Sequence, residues 1–144
     1  MTRDAIRQFM YDTLDTQFPA EYGAAVPVER ENHKFTSPRN QPYMILWTKY
    51  SPTKKAAIGT TQGFIRHKGM FMIDIVVPDD TGTKELWDIA SALERVFKAR
   101  GFSLSDGSRG TLYTPSATGS GRPLDGYYTA TVAVPFHVDS KEAV

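Results

Sequence analysis

The stretch Gly69 to Val77, GMFMIDIVV, sets seven apolar residues around one carboxylate, Asp74. In an extended strand successive side chains point to opposite faces, so Phe71, Ile73, Ile75 and Val77 share one side while Met70, Met72, Asp74 and Val76 share the other. The first set is a natural seat for amphipathic helices. The second is too apolar for a comfortable solvent face, and it holds a charge that is costly to bury without a partner. A chain built on this strand therefore needs a sheet covered by helices on one side and completed on the other by something else. Thr129, Thr131, Tyr127 or a basic residue, from the same chain or a neighbour, is expected to satisfy Asp74. Three roles stay open for it: an ordinary exposed or hydrogen-bonded position, part of an oligomer or partner interface, or catalysis, for which a lone carboxylate lacks a visible partner base.

The segments around this strand supply the helices. From 3 to 17, Ile6, Phe9, Met10, Thr13 and Leu14 follow helical spacing, with Asp4 at the favourable end of the dipole and Pro19 as the stop. From Lys84 to Arg100, Leu86, Ile89, Ala90, Leu93, Val96 and Phe97 make one apolar stripe, with Thr83 as cap and Gly101–Phe102 as a left-handed stop. DDTGT is the connection that leads from Pro78 into this helix.

The remaining apolar runs read as strands. Val26 to Phe35 is polar enough for an edge, YMILWTKY (43–50) suits a central strand, and SPTKKA is a basic turn. A further stretch from about Ala56 or Gln62 to Val77 is a hairpin or bent strand, with Gly59, Gly63 and Gly69 as bend or bulge positions. YYTATVAVPFHV alternates cleanly, with Tyr128, Ala130, Val132, Val134, Phe136 and Val138 on one face, and Pro135 in it points to an edge or a strand end. Residues 103–126, rich in Gly, Ser, Thr and Pro, read as a long flexible binding or disordered loop with a short strand at Leu112–Tyr113. The expected fold is a single α+β domain, 1–144, with a mostly antiparallel sheet of about four to six strands and two amphipathic helices packed on one face.

Composition narrows the chemistry. The 144 residues, with 40% hydrophobic and 23% charged, suit one folded domain, and the absence of cysteine removes disulfides, thiolate nucleophiles and Cys-ligated zinc. No apolar run approaches the roughly 20 residues of a membrane helix. His33, His67 and His137 lie far apart without a second ligand at metal-binding spacing. GTTQG, GSRG and GSGRP match neither phosphate-loop pattern, and no nucleophile elbow is present. Asp79 and Asp80 favour the start of the following helix, a cation site being the alternative. No cofactor is implied.

Charge is unevenly spread: Asn32 to Ile73 carries Lys34, Arg39, Lys49, Lys54, Lys55, Arg66 and Lys68 with no acid, whereas acids outnumber bases from Asp74 to Asp106. Folding either mixes these charges or leaves complementary patches of the kind a head-to-tail ring uses. Aromatics interleaved with the basic residues also allow a single-strand nucleic-acid surface, though on strands such residues more often belong to the core.

The order of parts resembles the tail terminator (tail completion) proteins of long-tailed bacteriophages. It comprises a short N-terminal helix, the strand RHKGMFMIDIVVP, the turn DDTGT, the helix KELWDIASALERVF, a loop and the closing strand YYTATVAVPF. The resemblance implies a non-enzymatic virion protein, present in the host cytoplasm during assembly, that forms a six-membered ring on the finished tail tube. Such a ring ends tube polymerisation and presents the head-joining surface. Implied partners are further copies of itself, the tail tube protein and a head-completion or neck protein, with no membrane and no specific nucleic acid. Candidate assembly residues are Asp74, Met70 and Met72 on the second face, Lys54 and Lys55 in the basic turn, and Arg109 and Arg122 in the loop. Another neck or minor tail protein, a small nucleic-acid-binding module, and a hydrolase using Asp74 with a histidine are the alternatives.

Overall fold

The computed structural model describes residues 2–30, 41–51, 54–55, 64–78, 83–124 and 127–141. Among them are two helices, α1 (Thr2–Tyr22) and α2 (Lys84–Val96), and eight strands: β1 (Val28–Glu29), β2 (Tyr43–Tyr50), β3 (Lys54–Lys55), β4 (Phe64–Pro78), β5 (Arg100–Ser103), β6 (Arg109–Leu112), β7 (Ser116–Leu124) and β8 (Tyr127–Lys141). The strands form one sheet, so the α+β expectation holds while the strand count exceeds the expected four to six. Its spine is the antiparallel pair β4–β8, two 15-residue strands in register from Phe64↔Lys141 to Pro78↔Tyr127. β2 and β3 pair with the outer edge of β4, and β6 and β7 share the outer edge of β8. β1 is parallel to β2, and the other pairings are antiparallel. β2 accordingly lies second from an edge. Of the strand expected over 26–35, the described part forms only β1; the rest of that segment, Gly59, Gly63 and the Asp79–Asp80 pair lie outside the described residues.

Strand alternation divides the sheet as the sequence requires. Phe71, Ile73, Ile75 and Val77 of β4, Met44 and Leu46 of β2, and Val132, Val134, Phe136 and Val138 of β8 are buried under both helices. From α1 the core takes Ile6, Met10, Leu14 and Phe18; from α2 it takes Leu86, Ile89, Ala90, Leu93 and Val96.

Pro19 does not end α1, which runs on to Tyr22. Proline removes one backbone donor, yet the core burial of Phe18 and its stacking on Tyr22, with ring centroids 5.3 Å apart, hold the extra turn in place. The stop is Gly23, whose φ of +93° suits a residue without Cβ and whose N–H reaches the Pro19 carbonyl at 2.9 Å.

α2 ends at Val96, short of the expected Arg100, and Gly101 is a strand residue paired with Thr111, not a left-handed stop. Two interactions favour the shorter helix. Phe97 is fully buried at the cap, and the Arg100 guanidinium donates to the Val96 carbonyl at 3.0 Å, satisfying an acceptor that the helix end leaves free. Phe102 then stacks on Phe9, with centroids 4.2 Å apart. Thr83 occupies the N-cap without a side-chain hydrogen bond.

The segment read as a loop over 103–126 is instead drawn into the sheet by β6 and β7, with a tight turn at Gly107 (φ +87°) closing the β5–β6 hairpin. Small residues here serve close packing. A Cβ on Gly110 would lie 2.5 Å from the Phe102 ring, and one on Gly119 2.9 Å from the Trp87 ring. Gly69 is likewise no bulge: β4 keeps register through it, and a Cβ there would meet the Lys49 carbonyl at 2.5 Å and the Phe136 ring at 2.9 Å.

Pro135 sits inside the spine, contrary to the edge expectation. In an antiparallel ladder the N and O of one residue point to the same neighbouring strand. The Pro135 carbonyl accepts from Tyr113 N at 2.9 Å, so its missing N–H faces the β6–β7 side of β8. That side is interrupted at 113–115, between the Leu112↔Phe136 and Ser116↔Ala133 pairs. The proline therefore falls where no ladder donor is required.

Candidate functional site

The face of the sheet away from the helices presents Ile45, Trp47 and Lys49 from β2, Met70, Met72 and Asp74 from β4, and Thr131, Ala133 and His137 from β8. Met70 is 41% exposed, Met72 and Asp74 are half-buried, and Val76 at 3% is the closed end of the row. Asp74 is satisfied by its own chain: Thr131 Oγ1 donates to Oδ1 at 2.7 Å, and Trp47 Nε1–H donates to Oδ2 at 3.1 Å. Thr131 was among the expected partners; Trp47 was not. Trp47 stands opposite Met72, one position diagonal from Asp74, within reach of a long aromatic side chain.

No histidine joins this arrangement. His67 points to the helix side, where Nε2 lies 3.0 Å from Ser140 Oγ, and His137 Nδ1 lies 2.6 Å from the Tyr113 hydroxyl. In register His137 is opposite Lys68, six residues along β4 from Asp74, which corresponds to about 20 Å of strand. A hydrolytic pair of Asp74 with either histidine is therefore not assembled, and His33 lies outside the described residues. Among the described residues no cluster of His, Asp and Glu could hold a metal ion, and no helix is long and apolar enough to cross a membrane.

Further along the same face the sheet becomes cationic. Lys54 is opposite Arg66, Arg66 opposite Asp139, and Asp139 opposite Arg109, so four strands contribute to one cross-strand row. Arg66 and Asp139 form a two-pronged ion pair, Nε–Oδ1 at 2.9 Å and Nη2–Oδ2 at 3.0 Å. The hydrogen bond from Arg66 holds the Asp139 carboxyl below its ordinary range and raises the guanidinium in turn. Burial, then the nearby Arg66 and Lys68, lowers His137. Between this row and Met70 lies an open depression of about 490 Å³, lined by Lys49, Lys68, Met70, Tyr113, Pro135 and His137.

The candidate residues thus fall into three places. Met70, Met72 and Asp74 share the open face, and Lys54 and Arg109 enter one row, with Lys55 the next residue of β3. Arg122 lies in the irregular part of β7, between the Gly119↔Ala130 and Pro123↔Tyr128 pairs, away from Arg109. Reasoning from sequence missed Lys49, Arg66, Lys68, Tyr113, His137 and Asp139 as a group. Alternation alone puts Arg66 and Lys68 on the Met70 side of β4, but grouping them with Tyr113 and Asp139 needs the pairing with β8 and β6.

Fold and site together define a small α+β protein in which, among the described residues, helices cover one face of the sheet and the other carries a hydrogen-bonded carboxylate and a cationic end. The chain belongs to the phage tail terminator protein family, whose family model matches residues 3–136. It is by that membership a structural component of a bacteriophage tail. Fourteen solved chains match the fold; one is 22% identical, with a TM-score of 0.73 over 96% of both chains. No curated protein matches the sequence.

Proposed function

We propose that the protein caps the tail tube as a closed ring of identical copies, a hexamer, ending tube polymerisation and presenting the surface to which the head joins. The observation that carries this reading is the open sheet face. Both helices lie on the other side, Met70 stands exposed, and the hydrogen bonds of Trp47 and Thr131 let Asp74 sit in an apolar surface without an ionic partner among the described residues. A heterologous, closing contact needs such an unfinished surface on every copy. On this reading the protein acts by binding and not by catalysis; its partners are further copies, the tail tube protein and a head-completion or neck protein. It assembles in the host cytoplasm and ends in the virion.

The test is direct. Purified protein added to polymerising tube protein is expected to stop growth and to appear by electron microscopy as a ring on one tube end. Tubes that grow unchanged, with no added density at either end, overturn the reading.

A further inference from the structure

The cationic end of the open face is a two-dimensional array. Strand register sets three rows side by side: Lys49, Met70 and Pro135; then Lys68, His137 and Thr111; then Lys54, Arg66, Asp139 and Arg109. Neighbours within a row are about 4.8 Å apart, and successive rows are about 7 Å apart along the strands. Asp139 is the one acid in these rows, and Arg66 already engages it. Lys49, Lys68 and Arg109 are exposed, and none of them has a carboxylate partner among the described residues. Unneutralised positive charge is thus spread from β2 to β6 and not gathered at one point.

Within the array the surface sinks into the depression of about 490 Å³ between Lys49 and Lys68. Tyr113, on its wall, is 46% exposed. Its hydroxyl lies 2.6 Å from His137 Nδ1, and the two rings sit 5.5 Å apart at an angle of 48°. The phenol is therefore held from its tip while much of the side chain stays in contact with solvent. Met70, 41% exposed, adds an apolar contact. An exposed aromatic ring fixed among cations is the combination by which proteins hold single nucleic-acid strands, with bases stacked on the ring and phosphates on the cations.

Two features favour such a strand over an acidic protein segment. The array calls for several anions at short intervals, which a phosphodiester chain supplies at every residue and a peptide supplies only if it is acidic throughout. The ring offers stacking to any base, whereas its negative face repels a carboxylate. A duplex keeps its bases stacked inside and could use the cations alone.

We infer that this end of the sheet binds a single strand of nucleic acid without sequence preference, one base resting on Tyr113 and the neighbouring phosphates on Lys49, Lys68 and, one row further, Arg109. Asp74 lies six residues along β4 from Lys68, about 20 Å away, which leaves the apolar half of the face to a neighbouring copy. The inference does not rest on the capping reading.

Fluorescence anisotropy with the full chain tests it, using labelled oligo-dT and oligo-U strands, a DNA duplex of equal length and polyglutamate. Both single strands are expected to bind, with an affinity that falls steeply with salt, by a log–log slope of about 0.7 for each phosphate neutralised. Lys49→Gln with Lys68→Gln is expected to weaken binding and to flatten that slope. Tyr113→Ala is expected to weaken it roughly 5- to 150-fold at an unchanged slope, and Tyr113→Phe, which keeps the ring and loses the hydroxyl, to bind within about threefold of wild type. A wild-type chain that binds neither strand at low salt overturns the inference, as does a lysine variant that binds like wild type. Polyglutamate bound as tightly as the strands would make the surface a site for an acidic protein instead. Duplex bound equally well, with Tyr113→Ala silent, would reduce it to charge without base contact. Either result overturns the assignment, and because no tubes are present, each leaves tube capping to its own experiment.

Discussion

Trp47 and Asp74 stand diagonally on adjacent strands, and the indole N–H donates to the carboxylate at 3.1 Å across the open face of the sheet. With the Thr131 hydroxyl on the other oxygen, both carboxylate oxygens are met by neutral donors. Asp74→Ala is expected to cost about 1–2 kcal/mol, because it strands two partly buried donors. Asp74→Asn, which keeps an acceptor oxygen, is expected to cost less than half as much. Urea denaturation of the two variants checks the order; equal losses would show that the hydrogen bonds contribute nothing.

Gly69 and Gly110 admit no side chain. At each, a Cβ would lie within 3 Å of a backbone carbonyl, Lys49 O or His137 O, as well as an aromatic ring, and the carbonyl cannot retreat without parting a strand pair. Gly69→Ala and Gly110→Ala are each expected to destabilise by about 1–3 kcal/mol. Gly101→Ala is the control: its nearest neighbour is 3.8 Å away and its backbone is extended, so the change is expected to be neutral or slightly stabilising. Thermal melts of the three variants separate close approach from a general demand for flexibility.

Lys54 enters the row of Arg66, Asp139 and Arg109 through the β3–β4 pair. Lys54→Ala with Lys55→Ala is expected to weaken ring formation or tube docking severalfold while leaving the melting temperature within about 2 °C. Sedimentation with and without tubes provides the measurement, and assembly equal to wild type in both removes these lysines from the interface.

Two histidines and one aspartate make stability depend on pH in the same direction. Burial lowers His67 and His137 below the ordinary 6.5, so the unfolded chain binds more protons and stability falls as pH drops below 6.5, levelling off beneath the folded values. Asp139, lowered by the Arg66 hydrogen bond, contributes stability that is present above 3.8 and lost as pH falls through its folded value. Comparison of urea midpoints at pH 7.5 and pH 5.5 is expected to show a smaller drop for His67→Gln than for wild type. An identical drop would mean that His67 titrates alike in both states.

Much of the architecture was legible because it follows from periods of two and 3.6. The core face of β4, the alternation of β8 and the apolar stripe of α2 could be read residue by residue, and Thr131 stood among several partners open to Asp74. What could not be read depended on contacts between distant segments. The early end of α2 follows in part from Phe102 reaching Phe9, which has no local signature, beside the local bond from Arg100 to Val96. Residues 103–126 looked like a loop because Gly110 and Gly119 are selected by the rings of Phe102 and Trp87, and glycine chosen for close packing is indistinguishable in composition from glycine chosen for freedom. The cationic row stayed hidden for the same reason: Lys54, Arg66, Asp139 and Arg109 become neighbours only through strand register.

Pro135 carries a consequence for how β6 and β7 find their alignment on β8. Its ring is tolerated at one spot, opposite the break between β6 and β7. Sliding β6 or β7 along β8 by two residues would set the proline, which has no donor, beside a carbonyl that needs one. The proline thus works as a key cut for a single lock, penalising misaligned pairings while the protein folds.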